Sequence, residues 1–170
     1  MELGMIHLYW GEGKGKTTAA MGLALRALGA GKRVVIVQFL KGRESGEIPL
    51  LRQLGATVLR GKATQKFVSQ MNEAEKAETC AIQTQNLRKG MEYTADLLIL
   101  DEACAAWETS TVDRTLLQKA VLEKPAAQEL VLTGRHPAVW MRTAANYSTE
   151  MRCCRHPYEM GIGARKGVEF

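Results

Sequence analysis

Short apolar runs rich in β-branched residues alternate along the chain with segments whose apolar positions recur at helical spacing, and the alternation continues from end to end. Strands are predicted at 5–9, 34–39, 57–59, 97–100, 130–133 and 148–151. Runs such as Val34-Val-Ile-Val and Leu97-Leu-Ile-Leu have no polar interruption, as strands buried on both faces should read. Between them, Met21, Ala24, Leu25 and Leu28 recur at i, i+3, i+4 and i+7, and that helix runs out in a glycine cluster at Gly29 and Gly31. A short helix is expected at 48–54. A long one is expected at 72–93, with a mostly small inward face of Ala74, Ala77, Ala81, Thr84, Leu87 and Met91, weakened at Gly90 by about 1 kcal/mol relative to alanine. Ser110 with Asp113 resembles a capping box opening a helix that Pro125 terminates, and Pro137 suits the first turn of another. Strands alternating with helices predict an α/β fold, a mostly parallel sheet flanked by helices. With no repeat, low-complexity tract or linker, residues 1–170 read as a single domain.

Composition narrows the classes. The formal net charge of +5 asks for an anionic partner, but the basic residues are dispersed from Lys14 and Lys16 through Arg43, Arg88 and Lys89 to Arg165 and Lys166. That dispersal argues against nucleic acid, whereas a triphosphate would use part of the surplus and a solvated surface the rest. Cys80, Cys104, Cys153 and Cys154 have no Cys-x-x-Cys spacing, so they are expected to be reduced thiols packed in the core. Residues 1–4 lack a basic region followed by an apolar one, and no apolar run approaches a membrane span. The expectation is a soluble cytoplasmic protein.

The run Tyr9-Trp-Gly-Glu-Gly-Lys-Gly-Lys-Thr-Thr follows a predicted strand and opens a predicted helix, the setting a phosphate-binding loop requires. Backbone N–H groups uncluttered at Gly11, Gly13 and Gly15 can converge on phosphate oxygens, helped by the partial positive charge of the helix N-terminus. Lys16 would neutralise phosphate and Thr17 would ligate Mg²⁺. The loop is irregular, because Trp10 stands where the first glycine of the usual pattern falls, and Lys14 adds a second cation. Asp101 and Glu102 end an apolar strand at the edge where ligands of parallel sheets bind, and each could hold Mg²⁺ directly or through water. These features make the fold class P-loop NTPase-like (RecA-like). They leave several activities open. A small-molecule kinase, such as a nucleoside kinase, would use the same loop with Asp101-Glu-Ala103, although the paired zinc-binding cysteines usual in thymidine kinases of that type are missing. An ATP-gated binding switch would want a basic groove or a transducing segment, and neither is evident.

Five stretches in order, Gly11-Glu-Gly-Lys-Gly-Lys-Thr-Thr-Ala-Ala, Val37-Gln-Phe-Leu-Lys-Gly, Leu100-Asp-Glu, Leu132-Thr-Gly-Arg and the closing Gly161 to Phe170 with its Gly167-Val-Glu-Phe end, resemble the ATP:corrinoid adenosyltransferase family of the phosphate-loop type. The resemblance spans nearly the whole chain. It implies a transferase of cobalamin biosynthesis that moves the 5′-deoxyadenosyl group of ATP to the Co(I) centre of a corrinoid and releases triphosphate, with ATP bound in the reverse sense to common NTPases. It also implies a reduced flavoprotein as electron donor and a homodimer. Residue reading and resemblance together assign catalysis to Lys14, Lys16 and Glu102, and Mg²⁺ to Thr17, Asp101 and Glu102. Substrate binding falls to Gly11, Glu12, Gly13, Lys14, Gly15, Lys16, Thr17, Thr18, Lys41 and Arg135. By resemblance Phe67 helps displace the corrinoid's lower base, with a core phenylalanine as the competing reading. Glu150 and Met151 match late family motifs, and Asn146 stands where the family commonly has aspartate. His156 and Tyr158 with residues 161–170 could line the corrinoid pocket, a capping role being the competing reading for His156. His7 and His136 read as structural, and Trp107 as core. No serine, cysteine or general-base constellation is evident, in keeping with a cobalt nucleophile that needs no activation.

Overall fold

Each of the six predicted segments becomes a strand, and every strand pairing in the computed structural model, which describes residues 3–43 and 45–170, is parallel. Met1 and Glu2, part of the stretch read above for a leader, lie outside the described residues. The strands are β1 (Ile6–Trp10), β2 (Val34–Gln38), β3 (Thr57–Arg60), β4 (Leu97–Asp101), β5 (Glu129–Gly134) and β6 (Tyr147–Glu150), in the spatial order β3-β2-β4-β5-β1-β6. Helices α1 (Lys16–Gly29), α2 (Glu47–Gln53), α3 (Glu73–Glu92), α4 (Ala103–Glu108), α5 (Arg114–Leu122) and α6 (Val139–Ala144) cover the two faces. The sheet is therefore wholly parallel, and the architecture is α/β and P-loop NTPase-like as expected.

The two-residue period of a strand explains why uninterrupted apolar runs were needed. Val35 and Val37 point into a core built with Leu87 of α3, Cys104 of α4, Leu117 of α5 and Met141 of α6. Their neighbours Val34 and Ile36 point to the other side, against Ala20, Met21 and Ala24 of α1 and Ile48 and Leu51 of α2. On α1 the buried positions are Ala20, Met21 and Ala24, whereas Leu25, expected inward, is 54% exposed. Two alanines let the helix lie close to the sheet, so its inward stripe is narrow and Leu25 falls outside it.

The inward face of α3 differs from the expected one. Ala74, Ala77 and Ala81 are exposed, and the buried stripe is Thr79, Gln83, Leu87 and Gly90. Gln83 is tolerated inside because its amide is used at both ends: Oε1 accepts the N–H of Leu40, and Nε2 donates to the carbonyl of Thr111 at 2.6 Å. Gly90 lets the helix touch the sheet, since a Cβ there would sit 2.7 Å from Val37 Cγ2. Helix α5 opens at Asp113, whose carboxylate accepts the N–H of Leu116, and Ser110 lies outside it in a left-handed turn at φ 54°. Helix α6 starts at Val139, two residues beyond Pro137, and α4 was not anticipated. Among the described residues no helix is long and apolar enough to cross a membrane.

Candidate active site

At the carboxyl edge of the sheet, the ends of β1, β2, β4 and β5 surround a cavity of about 650 Å³, within the size range of small-ligand sites. Lys14, Gly15, Lys16, Thr17, Thr18, Lys41, Glu102 and Arg135 line it, so eight residues expected to bind or react stand together. Helix α1 begins at Lys16 with no side-chain cap, which leaves its first-turn amides as free donors aimed at the cavity. Lys16 Nζ donates to the loop's own Gly13 carbonyl at 2.6 Å, and burial lowers its pKa below the ordinary lysine value.

Gly11 and Gly13 are used differently from the expectation. The Gly13 N–H is taken by the Met151 carbonyl at 2.6 Å and the Gly11 N–H by the Arg135 carbonyl at 3.2 Å, so in this state neither is free for phosphate. What demands glycine is close approach: a Cβ on Gly11 would lie 2.5 Å, and one on Gly13 2.7 Å, from the Met151 oxygen. Gly11 also has φ 107°, a left-handed conformation that side chains resist. The irregular loop is thus a loop fastened to the end of β6.

Asp101 is fully buried and organises the site. Its Oδ1 accepts from the hydroxyls of Thr17 at 2.9 Å and Thr133 at 2.7 Å, and its Oδ2 from Gln38 Nε2 at 3.1 Å and Lys41 Nζ at 2.8 Å. Lys41 Nζ also donates to Thr17 Oγ1 at 3.1 Å. The turn that presents Lys41 is fixed by Leu40 at φ 58°, whose N–H is held by Gln83, and by Phe39, whose N–H donates to the Asp101 carbonyl at 3.0 Å. Gln38 Oε1 is buried with no partner among the described residues. Roles for Gln38, Thr133 and Gln83 escaped the sequence reading. For the first two a signal existed, since each is the polar end of an apolar strand, just as Asp101 is. For Gln83 there was none.

Glu102 follows the last residue of β4 and leaves the strand at once: it sits in the left-handed region at φ 61°, with its N–H donated to Thr133 Oγ1 at 2.9 Å, and it lines the cavity. Burial, then the charge of Asp101, raises its pKa above the ordinary carboxylate value. Glu12 turns to the rim, where it meets His136 at 2.7 Å and Arg135 at 3.4 Å. The chain end closes one wall through Gly167, Val168, Glu169 and Phe170, and Lys14 Nζ donates to the Val168 carbonyl at 3.2 Å.

The remaining positions sort by burial. Phe67 is 71% exposed on the connection between β3 and α3, outside the core and outside the cavity wall. His156 accepts the N–H of Tyr158 and caps a short 3-10 turn, Pro157–Met160. His7 pairs with Glu129 at 2.5 Å and stacks on Tyr147, and Trp107 packs edge-on against Trp140, which are structural uses. Asn146 Oδ1 accepts the Ile6 N–H at 2.8 Å, a bond an aspartate would also make. Cys104 is buried, its thiol pushed up to about 12 by burial, and is inert. Cys153 and Cys154, expected inside, are exposed.

A family model described as ATP:corrinoid adenosyltransferase BtuR/CobO/CobP matches residues 2–170. Corrinoid adenosyltransferase CobA of Salmonella typhimurium is 31% identical over 172 residues, covering 99% of this chain and 87% of that protein. The corrinoid adenosyltransferase of Pseudomonas aeruginosa is 32% identical over 172 residues, covering 99% and 85%, and that of Escherichia coli is 31% identical over 170 residues, covering 99% and 87%.

Proposed function

The chain belongs to the ATP:corrinoid adenosyltransferase family, and from that premise we propose how its cavity moves the 5′-deoxyadenosyl group of ATP to the Co(I) centre of a corrinoid, cob(I)alamin or cob(I)yrinic acid a,c-diamide. One observation carries the reading: an uncapped helix N-terminus and four cationic side chains, Lys14, Lys16, Lys41 and Arg135, face one cavity whose described wall includes neither histidine nor cysteine. Such a site is built to accept negative charge, not to activate a protein nucleophile. Co(I) supplies its own electron pair. The cobalt–carbon bond forms at C5′ as the C5′–oxygen bond breaks, and that bond's pair leaves on the triphosphate. The protein's task is to align the two and to stabilise the departing anion. The α1 amides, Lys16, Lys14 and Arg135 do this in the present reading, with the triphosphate in the loop and the sugar turned out towards the acceptor. Lys16, its charged form disfavoured by burial, regains a counter-charge when the anion arrives.

Mg²⁺ fits the donor set. It prefers oxygen ligands, one or two carboxylates and retained water, and Thr17, Asp101 and Glu102 offer a hydroxyl and two carboxylates. The unpartnered Gln38 Oε1 is a ready acceptor for a water on a hydrated cation. We assign the ion to Thr17, Asp101 and Glu102, where it would draw charge from the triphosphate. On the acceptor side, the exposure of Phe67 favours a corrinoid-facing role over a core one. The reading extends to a cytoplasmic homodimer fed by a reduced flavoprotein.

The test is to mix the protein with ATP, Mg²⁺ and chemically reduced cobalamin, and to follow both the light-sensitive absorption of a cobalt–carbon product and the fate of the phosphates. Intact triphosphate is expected; ADP would favour a kinase. Lys16→Ala should lose about 10²- to 10³-fold in rate, the scale for one well-placed electrostatic group, and turnover at the parent rate would overturn its role.

A further inference from the structure

We propose that Lys41 is a tethered cation that, in the nucleotide-free site, holds the ground between Thr17 Oγ1 and Asp101 Oδ2, so that Lys41 and the divalent ion exclude each other there. The inference rests on the metal assignment above and goes beyond it, by making metal entry conditional on nucleotide. The geometry is direct. Lys41 Nζ lies 2.8 Å from Asp101 Oδ2 and 3.1 Å from Thr17 Oγ1, two of the oxygens assigned to the metal. The three other donors to Asp101 are the Thr17 and Thr133 hydroxyls and the Gln38 amide, all neutral. Lys41 alone among these four brings a full positive charge to a carboxylate with no exposed surface, and such a carboxylate is costly to leave unbalanced.

Of the two partners only Lys41 can leave. Asp101 is held by its strand and by three neutral donors, whereas the Lys41 side chain is 28% exposed and lines the cavity. Its backbone is pinned at Leu40 by Gln83, so motion is confined to the side chain. A second cation at the same oxygens would meet the ammonium at a few ångströms, where like charges repel strongly in a partly buried site. Free Mg²⁺ therefore has to displace Lys41 unaided. A polyphosphate changes the balance, because it offers the ammonium another anion within the cavity and vacates the carboxylate. Metal and nucleotide then bind together, and an idle enzyme keeps Asp101 neutralised without metal.

Mn²⁺ provides the readout, since its free form is counted by electron paramagnetic resonance and no turnover is needed. Without nucleotide, wild type should bind Mn²⁺ weakly, Lys41→Met about ten-fold or more tightly, and Lys41→Arg no more tightly than wild type. With ATP present, wild type should retain Mn²⁺ on the protein, and the advantage of Lys41→Met should disappear. Equal nucleotide-free affinities for wild type and Lys41→Met overturn the inference while leaving the metal assignment intact. If wild type with ATP holds no protein-bound Mn²⁺, the metal assignment falls and this inference with it. Should Lys41→Met be unfolded in metal-free buffer, the same expectation is read as recovery of a cooperative melt on adding Mn²⁺; failure to recover it overturns the proposal.

Discussion

Glu102 combines two costs at one position. It holds a left-handed backbone that disfavours side chains by roughly 1–2 kcal/mol, and its carboxyl is raised by burial and by neighbouring Asp101. A carboxyl whose folded pKa exceeds its unfolded value favours folding while protonated. That contribution is complete below the unfolded pKa near 4 and is lost as pH rises through the raised folded value. At neutral pH, above the unfolded value, burying this carboxyl opposes folding. Glu102→Gln should therefore melt higher than the parent at pH 7, by about 2–4 °C for each kcal/mol relieved, with the gap closing towards pH 4 as activity is lost. Paired melts at the two pH values check it, and a variant less stable at pH 7 would remove the argument. Asp101 and Glu102 were legible because charge at the end of an apolar strand has few other uses. Gln38 and Thr133 end their strands in the same way, but a neutral polar residue there has many explanations, and the sequence does not rank them. Gln83 was illegible: its partners lie 43 and 28 positions away, at Leu40 and Thr111, and only the fold brings them together.

Helix α3 shows how element-level reading succeeds and fails. Its span was legible, 72–93 expected against Glu73–Glu92 found, and Asn72 and Glu75 close its first turn by capping each other's backbone. Its inward face was not, because alanine is apolar enough for either side, and contact with the sheet selected Gly90 and Leu87 over Ala77 and Ala81. Two opposed effects meet at Gly90→Ala. Helix propensity gains about 1 kcal/mol, while the new methyl would sit 2.7 Å from a fully buried, β-branched Val37, an overpacking that costs roughly 1–3 kcal/mol. Packing wins, and a net loss of about 1 kcal/mol is expected as a lower urea midpoint at unchanged slope. A gain in stability would mean that the helix does not approach the sheet this closely. The central strands β2, β4 and β5 were easier, because runs buried on both faces admit little else. Helix α4, six residues long, offers too few turns for a periodicity to register.

For the molecule as a whole, stability and chemistry draw on different stretches of chain. From Arg152 to Phe170 every residue is exposed, yet Gly167 to Phe170 wall the cavity and Val168 receives Lys14. Deleting residues 167–170 should leave the melting temperature within about 2 °C, since exposed substitutions seldom exceed 0.5 kcal/mol, while raising KM for ATP several-fold. An unchanged KM would exclude the chain end from the site. Strand β6, exposed along its length, has the opposite standing: the phosphate loop is held through the Gly13 N–H by the Met151 carbonyl, one residue past the strand, and among the described residues no strand pairs with its outer side. The grip on the nucleotide is thus anchored to the most weakly supported margin of the sheet. Fraying there would slacken the loop, so a change at Tyr147 or Thr149, remote from any reacting atom, would register first as lost affinity for ATP.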